Sequence, residues 1–403
     1  MTDMPLKGVV VIEFAIHGAG CAVGKVLADW GADVIKVETP SGDVARNSGL
    51  QLNLPCTEES NIHFEMLSGN KRSIVIDMKT ETGREIMERL LAKANIFFSN
   101  FRMKALYKFG LDYESVSQRH PHIIWGHLSG YGTDGPLAGA PGFDVVSYWA
   151  KSGLLLDFTE KDSLPNTAPF GVGDFSAGAM LAGALAACLY QQEKTGRGQK
   201  VMNSLYGHAI WTAGSLVQST QHGDQFPKTR KQAMSPFINS YRCKDEWFFC
   251  AVMDYAGKFP LLCGMIGRPE LADDPRFATL GAAQQNKPEL IAIFDEWFAD
   301  QPWEKVDRLL TEADIVHTKI AHFADIAEDP QAQANGYVYD FTTRTGGKDI
   351  MVSTPVKFGA NEPAQHRNAP LLGEQTEEVL RELGYTETEI AAMQEAGAVR
   401  QHA

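Results

Sequence analysis

No Cys-x-x-Cys pair occurs in this chain. The six cysteines (Cys21, Cys56, Cys188, Cys243, Cys250, Cys263) are scattered. Neither a zinc ribbon nor a disulfide framework is legible, and reduced, mostly buried thiols of a cytoplasmic protein are expected. His120 and His122 lack the spacing that puts two rings on one helix face, so no metal site is expected. The absence of a Gly-x-Ser-x-Gly elbow leaves a serine-hydrolase triad without support, and the absence of a P-loop does the same for a nucleotidase. Positive charge is also short. The 37 Lys and Arg against 50 Asp and Glu give a net charge of −13. Bulk attraction to nucleic acid or to an anionic membrane is therefore not expected, and an anionic ligand would need a local basic patch. Residues 1–5 lead into no apolar run, so no signal peptide is expected. The longest apolar stretch, residues 177–190, is too short and too rich in Gly and Ala to span a bilayer.

What is present suits a two-domain α/β protein. The chain has 403 residues, 44% hydrophobic and 22% charged, enough for a large core. Residues 8–14 read as a strand buried on both faces. A Gly-rich stretch and a helix follow through Trp30, and residues 32–37 read as a second strand. Strand-like segments 73–77, 96–99, 123–128 and 200–203 alternate with helical ones such as 81–94. That alternation implies a Rossmann-like, doubly wound parallel sheet. We expect a large domain from residues 1–220 and 340–403, and a smaller α+β domain with its linkers from 221–339. Residues 130–142 form a Gly/Pro-rich loop that is mobile or brings backbone close to a ligand.

Three groups of residues are candidates for chemistry. Gly18-x-Gly20-x-x-x-Gly24 follows a strand and opens a helix, with Glu38 about twenty residues on. This resembles the fingerprint of an NAD-dependent dehydrogenase; the same glycines also suit tight packing of a helix on its strand. Basic residues cluster at Lys71, Arg72 and Lys79, and again at Arg102, Lys104 and Lys108. They suit either a phosphate site or a solvated face. His17 lies near the same crevice, as a lone His better suited to lining it than to ligation. Finally, Asp174 immediately precedes an apolar helix. It reads as an N-cap or as a nucleophile held at a helix N-terminus, which would keep it ionised.

Several segments together resemble the class III CoA-transferases, a family that includes formyl-CoA transferase, carnitine CoA-transferase and α-methylacyl-CoA racemase. They are Leu-Ala-Asp-Trp-Gly-Ala-Asp-Val-Ile-Lys-Val-Glu at 27–38, Asn-Lys-Arg-Ser at 70–73, Ser-Asn-Phe-Arg at 99–102, Pro-Gly-Phe-Asp at 141–144, Gly173-Asp174, and Lys-Thr-Gly-Arg-Gly-Gln at 194–199. The resemblance implies that Asp174 is the catalytic nucleophile, passing through an aspartyl anhydride and an aspartyl-CoA thioester. It implies CoA contacts at Gly18, Ala19, Met78, Lys79, Asn100, Phe101, Arg102 and Lys108. CoA would be a substrate and covalent intermediate, with no permanently bound cofactor and no metal. The partners implied are an acyl-CoA and a carboxylic acid acceptor, with no nucleic acid and no membrane, in an interlocked, ring-like homodimer. Gly18 and Thr39 stand where formyl-CoA transferase has Gln and Arg, which points away from that branch. Phe143 stands where the racemase branch has a catalytic His, so two-base racemisation would lose one base. Residues 235–241 with Asp245 and Trp247 look most like the subgroup that acts on (R)-2-hydroxy acids such as phenyllactate or 2-hydroxyisocaproate.

Overall fold

Short apolar segments alternate with helices and pair side by side in a computed structural model that describes residues 4–58, 60–359 and 366–402. The first six strands are β1 (Val10–Phe14), β2 (Asp33–Glu38), β3 (Arg72–Ile76), β4 (Ile96–Ser99), β5 (Ile124–Ser129) and β6 (Lys200–Ser204). They run parallel in the order β3-β2-β1-β4-β5-β6, the order of a dinucleotide-binding fold. Consecutive side chains feed opposite cores. Ile12, Ile35 and Phe97 pack in one cluster, while Val11, Val34 and Phe98 pack in another with the first helix. A strand covered on both faces must be apolar at every position, which is why these segments read as unbroken hydrophobic runs.

The remaining strands are β7 (Ile238–Arg242), β8 (Trp247–Ala251), β9 (Val316–Lys319), β10 (Val338–Thr342), β11 (Lys348–Val352) and β12 (Val399–Arg400). β12 pairs antiparallel with β3 and becomes the seventh strand of the large sheet. Two compact units result. One comprises Met1–Leu154, Ala168–Val217 and Pro330–Ala403; the other comprises Leu155–Thr167 and Gln218–Asp329. The second has its own antiparallel sheet, β7-β8-β9, over an aromatic core that includes Phe237, Tyr241, Phe248, Phe294 and Phe298.

Two helices of the large unit shape the site. The first runs His17–Asp29. The second, Val172–Thr195, is 24 residues long, with Gly171 (φ 80°) at its start and Gly196 (φ 67°) at its end. It is longer than the expected apolar run and long enough to cross a bilayer. It buries Ala177, Leu181, Ala182 and Leu185 in the core it shares with the first helix. Asp174 is not its cap. Gly171 takes that position in a left-handed conformation, and Asp174 lies within the first turn.

Candidate active site

Parallel strands bring all their C-terminal ends to one edge, and the strand order reverses between β1 and β4. The loops leaving those two strands diverge and open a crevice. Asn100 follows β4 and braces the loop after β1. Its Oδ1 accepts the Ile16 N–H at 2.9 Å and its Nδ2 donates to the Ile16 carbonyl at 2.6 Å. The next residue, His17, adopts φ 60°, a region rarely used by residues other than Gly. Asp43 accepts the His17 N–H at 3.1 Å. This turn carries Gly18 onto Asp174. A Cβ at position 18 would sit 2.5 Å from Asp174 Oδ2, so only Gly admits the carboxylate there.

Asp174 is half-buried, and the Ala19 N–H lies near its carboxylate. Burial pushes its carboxyl up to about 7; the charge of Asp144 adds to the rise, and the Ala19 N–H opposes it. The helix N-terminus favours the ionised form, as expected of its position, while burial and the like charge of Asp144 act against it. Asp144 itself is pushed up to about 6 by burial, against the pull of the Gly171, Gly173 and Asp174 N–H groups. Those N–H groups lie outside hydrogen-bond geometry, and both Asp144 oxygens are buried without a bonded partner among the described residues. The two carboxyls therefore titrate as a pair near neutrality. Phe143, beside Asp144, meets the His17 ring edge-on at 5.2 Å.

Beneath the turn lies a set of buried charges. Lys36 Nζ contacts Glu13 at 2.8 Å and Asp43 at 2.7 Å, with all three side chains fully buried. Lys71 lies 2.8 Å from the other Glu13 oxygen, a charge contact outside hydrogen-bond geometry. Glu38 holds Arg46 in a bidentate pair and accepts from Ser73 and from the Asp43 N–H.

These contacts redistribute the residues singled out in the sequence. Gly18, Ala19, Asn100, Phe101, Arg102, Met78 and Lys79 all follow strand ends at one edge. Phe101 packs on Phe14 at 4.6 Å. Lys79, Arg102 and Lys108 are exposed, and none has an ion-pair partner among the described residues. The Met78 side chain is buried in the core, which leaves only its backbone for a ligand. Lys71 and Arg72 also drop out of the basic patch. Lys71 is spent on Glu13, and Arg72 pairs with Asp33, Glu378 and Glu382. The dehydrogenase fingerprint dissolves in the same way. A Cβ on Gly24 would lie 1.8 Å from Glu13 Oε2, and Glu38 is committed to Arg46, so these residues serve packing and charge pairing. The pairing of Asp144 with Asp174, the strained backbone of His17 and the Lys36 network were not visible in the sequence. A cavity of about 560 Å³ opens in the small unit beside Arg242, Trp247 and His322. Its Glu246 is paired with Lys319, and it contains no buried carboxylate to match Asp174.

A mostly parallel sheet with a carboxylate at its switch point can host many chemistries, and similarity to known proteins narrows them. Residues 6–376 match CoA-transferase family III. The chain belongs to this family and is a CoA-transferase. It is 34% identical over 398 residues to the (R)-2-hydroxy-4-methylpentanoate CoA-transferase of Clostridioides difficile, covering 98% of this chain and 100% of that one. It is 35% identical to the cinnamoyl-CoA:phenyllactate CoA-transferase of Clostridium sporogenes, covering 96% and 95%. Identity to a formyl-CoA:oxalate CoA-transferase of Escherichia coli is 30%, covering 98% and 99%. Among solved structures, a CAIB/BAIF family protein from Brucella suis matches with a TM-score of 0.80 and 30% identity, covering 95% of this chain and all of that one.

Proposed function

We propose that this enzyme moves CoA from an enoyl- or arylacryloyl-CoA to an (R)-2-hydroxy acid of the phenyllactate or 2-hydroxyisocaproate type. The observation that carries the chemistry is the half-buried Asp174 carboxylate at the switch point, which lies where a β-carbon on residue 18 would collide with it. An ionised Asp174 oxygen attacks the thioester carbonyl and CoA thiolate leaves, forming a mixed anhydride. The thiolate then attacks the Asp174 acyl carbon and the donor acid leaves as a carboxylate. The acceptor carboxylate attacks the resulting aspartyl-CoA thioester, and thiolate returns to the acceptor's acyl carbon, restoring Asp174. Covalent catalysis splits one acyl exchange into easier steps. Burial suits an anhydride that water would destroy, and the loop at 130–142 is a lid candidate.

In this reading Gly18 and Ala19 line the thioester, Asn100 fixes the loop that carries them, Phe101 flanks the adenine, and Lys79, Arg102 and Lys108 meet phosphates. The identities to the two 2-hydroxy-acid enzymes support the choice of acceptor, and Phe143 in place of a second base argues for transfer over racemisation. We also propose a cytoplasmic homodimer. All six cysteines are free, which fits a reducing compartment. Trp211 is 75% exposed, and a covering subunit would explain it. The test of the chemistry is to incubate the enzyme with cinnamoyl-CoA, add hydroxylamine or borohydride, and map the adduct by mass spectrometry. Modification at Asp174 and loss of transfer in Asp174→Ala are expected. Full transfer by that variant would sink the mechanism.

A further inference from the structure

Of the groups beside Asp174, the His17 imidazole has no role in the acyl exchange. It is half-buried, and no ring nitrogen has a hydrogen-bond partner among the described residues. Its backbone is held at φ 60°, where a β-carbon is strained and Gly would be at ease. The fold invests in that strain. Asp43 accepts the His17 N–H at 3.1 Å while Lys36 and the Ala45 N–H bind the same carboxylate, and Asn100 grips Ile16 from both sides. Such outliers persist where the surroundings over-determine them, and they cluster at ligand sites. The location is specific. His17 adjoins Gly18, which abuts Asp174, and its ring meets Phe143, which adjoins Asp144.

We propose that His17 is a specificity-determining residue that hydrogen-bonds the hydroxyl beside the acceptor's carboxylate while Phe143 walls the same pocket. Burial lowers the imidazole's affinity for a proton, and Lys36 acts in the same direction against Asp43. A neutral ring presents one donor and one acceptor, which matches a hydroxyl that can do both. Acceptors with a hydroxyl on the carbon next to the carboxylate satisfy the ring; their des-hydroxy analogues leave it unpaired.

This inference rests on Asp174 as the nucleophile, and the experiment separates the two. Transfer from cinnamoyl-CoA is measured to phenyllactate and to 3-phenylpropionate, which lacks only the hydroxyl, alongside trapping of the Asp174 adduct. The wild-type ratio of kcat/KM for the two acids is expected to exceed about tenfold, the worth of one neutral hydrogen bond. In His17→Gly, which keeps the left-handed backbone without strain, the ratio should fall towards one. In His17→Asn, which tolerates that backbone and keeps a donor and an acceptor, part of the ratio should return. A merely structural role would lower both rates together and leave the ratio alone, which overturns the proposal, as does a wild-type ratio near one. If Asp174 is not the residue trapped in the wild type, the mechanism fails instead, whatever the ratio.

Discussion

Asp174 and Asp144 show how far two residues thirty positions apart can set each other's chemistry. The negative charge of Asp144 is the second cause, after burial, of the raised Asp174 titration. Removing that charge favours the ionised nucleophile, so Asp144→Asn should move the acid limb of kcat/KM down from about 7. A pH profile measured from 5 to 9 checks this, and an unmoved limb would show that the two groups are not coupled. Asp174 was singled out by the flanking segments that match a family, since a carboxylate before an apolar helix is by itself an ordinary cap. Asp144 stood in one of those segments without any sign of its partner, since only the fold brings its turn against Gly173. Lys71 looked like an open cation for the opposite reason: a run of charges does not reveal Glu13 beneath it.

Elements were easier to read than contacts. The six parallel strands and the first site helix fall close to their expected places because apolar runs and Gly stops are local signals. The buried charges joining β1, β2 and the turn at His17 are not local, and they carry stability. Lys36→Met would leave Glu13 and Asp43 buried without their shared cation, at a cost of about 3–5 kcal/mol. Denaturant unfolding of the variant at pH 7 should show that loss, and an unchanged midpoint would mean the network is energetically neutral. The pH window follows from the shifts. The Asp43 carboxyl lies below its usual 3.8 in the folded state, so its contribution is present above that pH and is lost as pH falls through the depressed value. Lys36 lies well above 10.5, so its contribution is complete below that pH and is lost only as pH rises through the raised value.

For the whole molecule, the long helix marks where sequence reading was least complete. Its buried stripe was expected, but its opposite face keeps Met180 and Tyr190 exposed, and Ile210, Trp211 and Val217 are exposed in the segment that follows β6. In the proposed homodimer a second copy would cover these residues. Light scattering should report a dimer for the wild type and a shift toward monomer for Trp211→Glu. A monomeric wild type would remove the dimer from the proposal. Composition carries no sign of such a dimer, because apolar residues look the same in sequence whether a core or a partner covers them.

The pairing of β12 with β3 has a consequence for how the protein is made. Val399 and Arg400 of β12 pair with Ile76 and Val75 of β3, more than three hundred positions earlier in the chain, so β12 is synthesised long after β3. At about 5–20 residues per second, the outer edge of β3 stays uncovered on the ribosome for roughly 15–60 s after it emerges. An unpaired parallel edge is a template for wrong partners, so the nascent large unit is most exposed to misassembly in the interval before its final strand arrives.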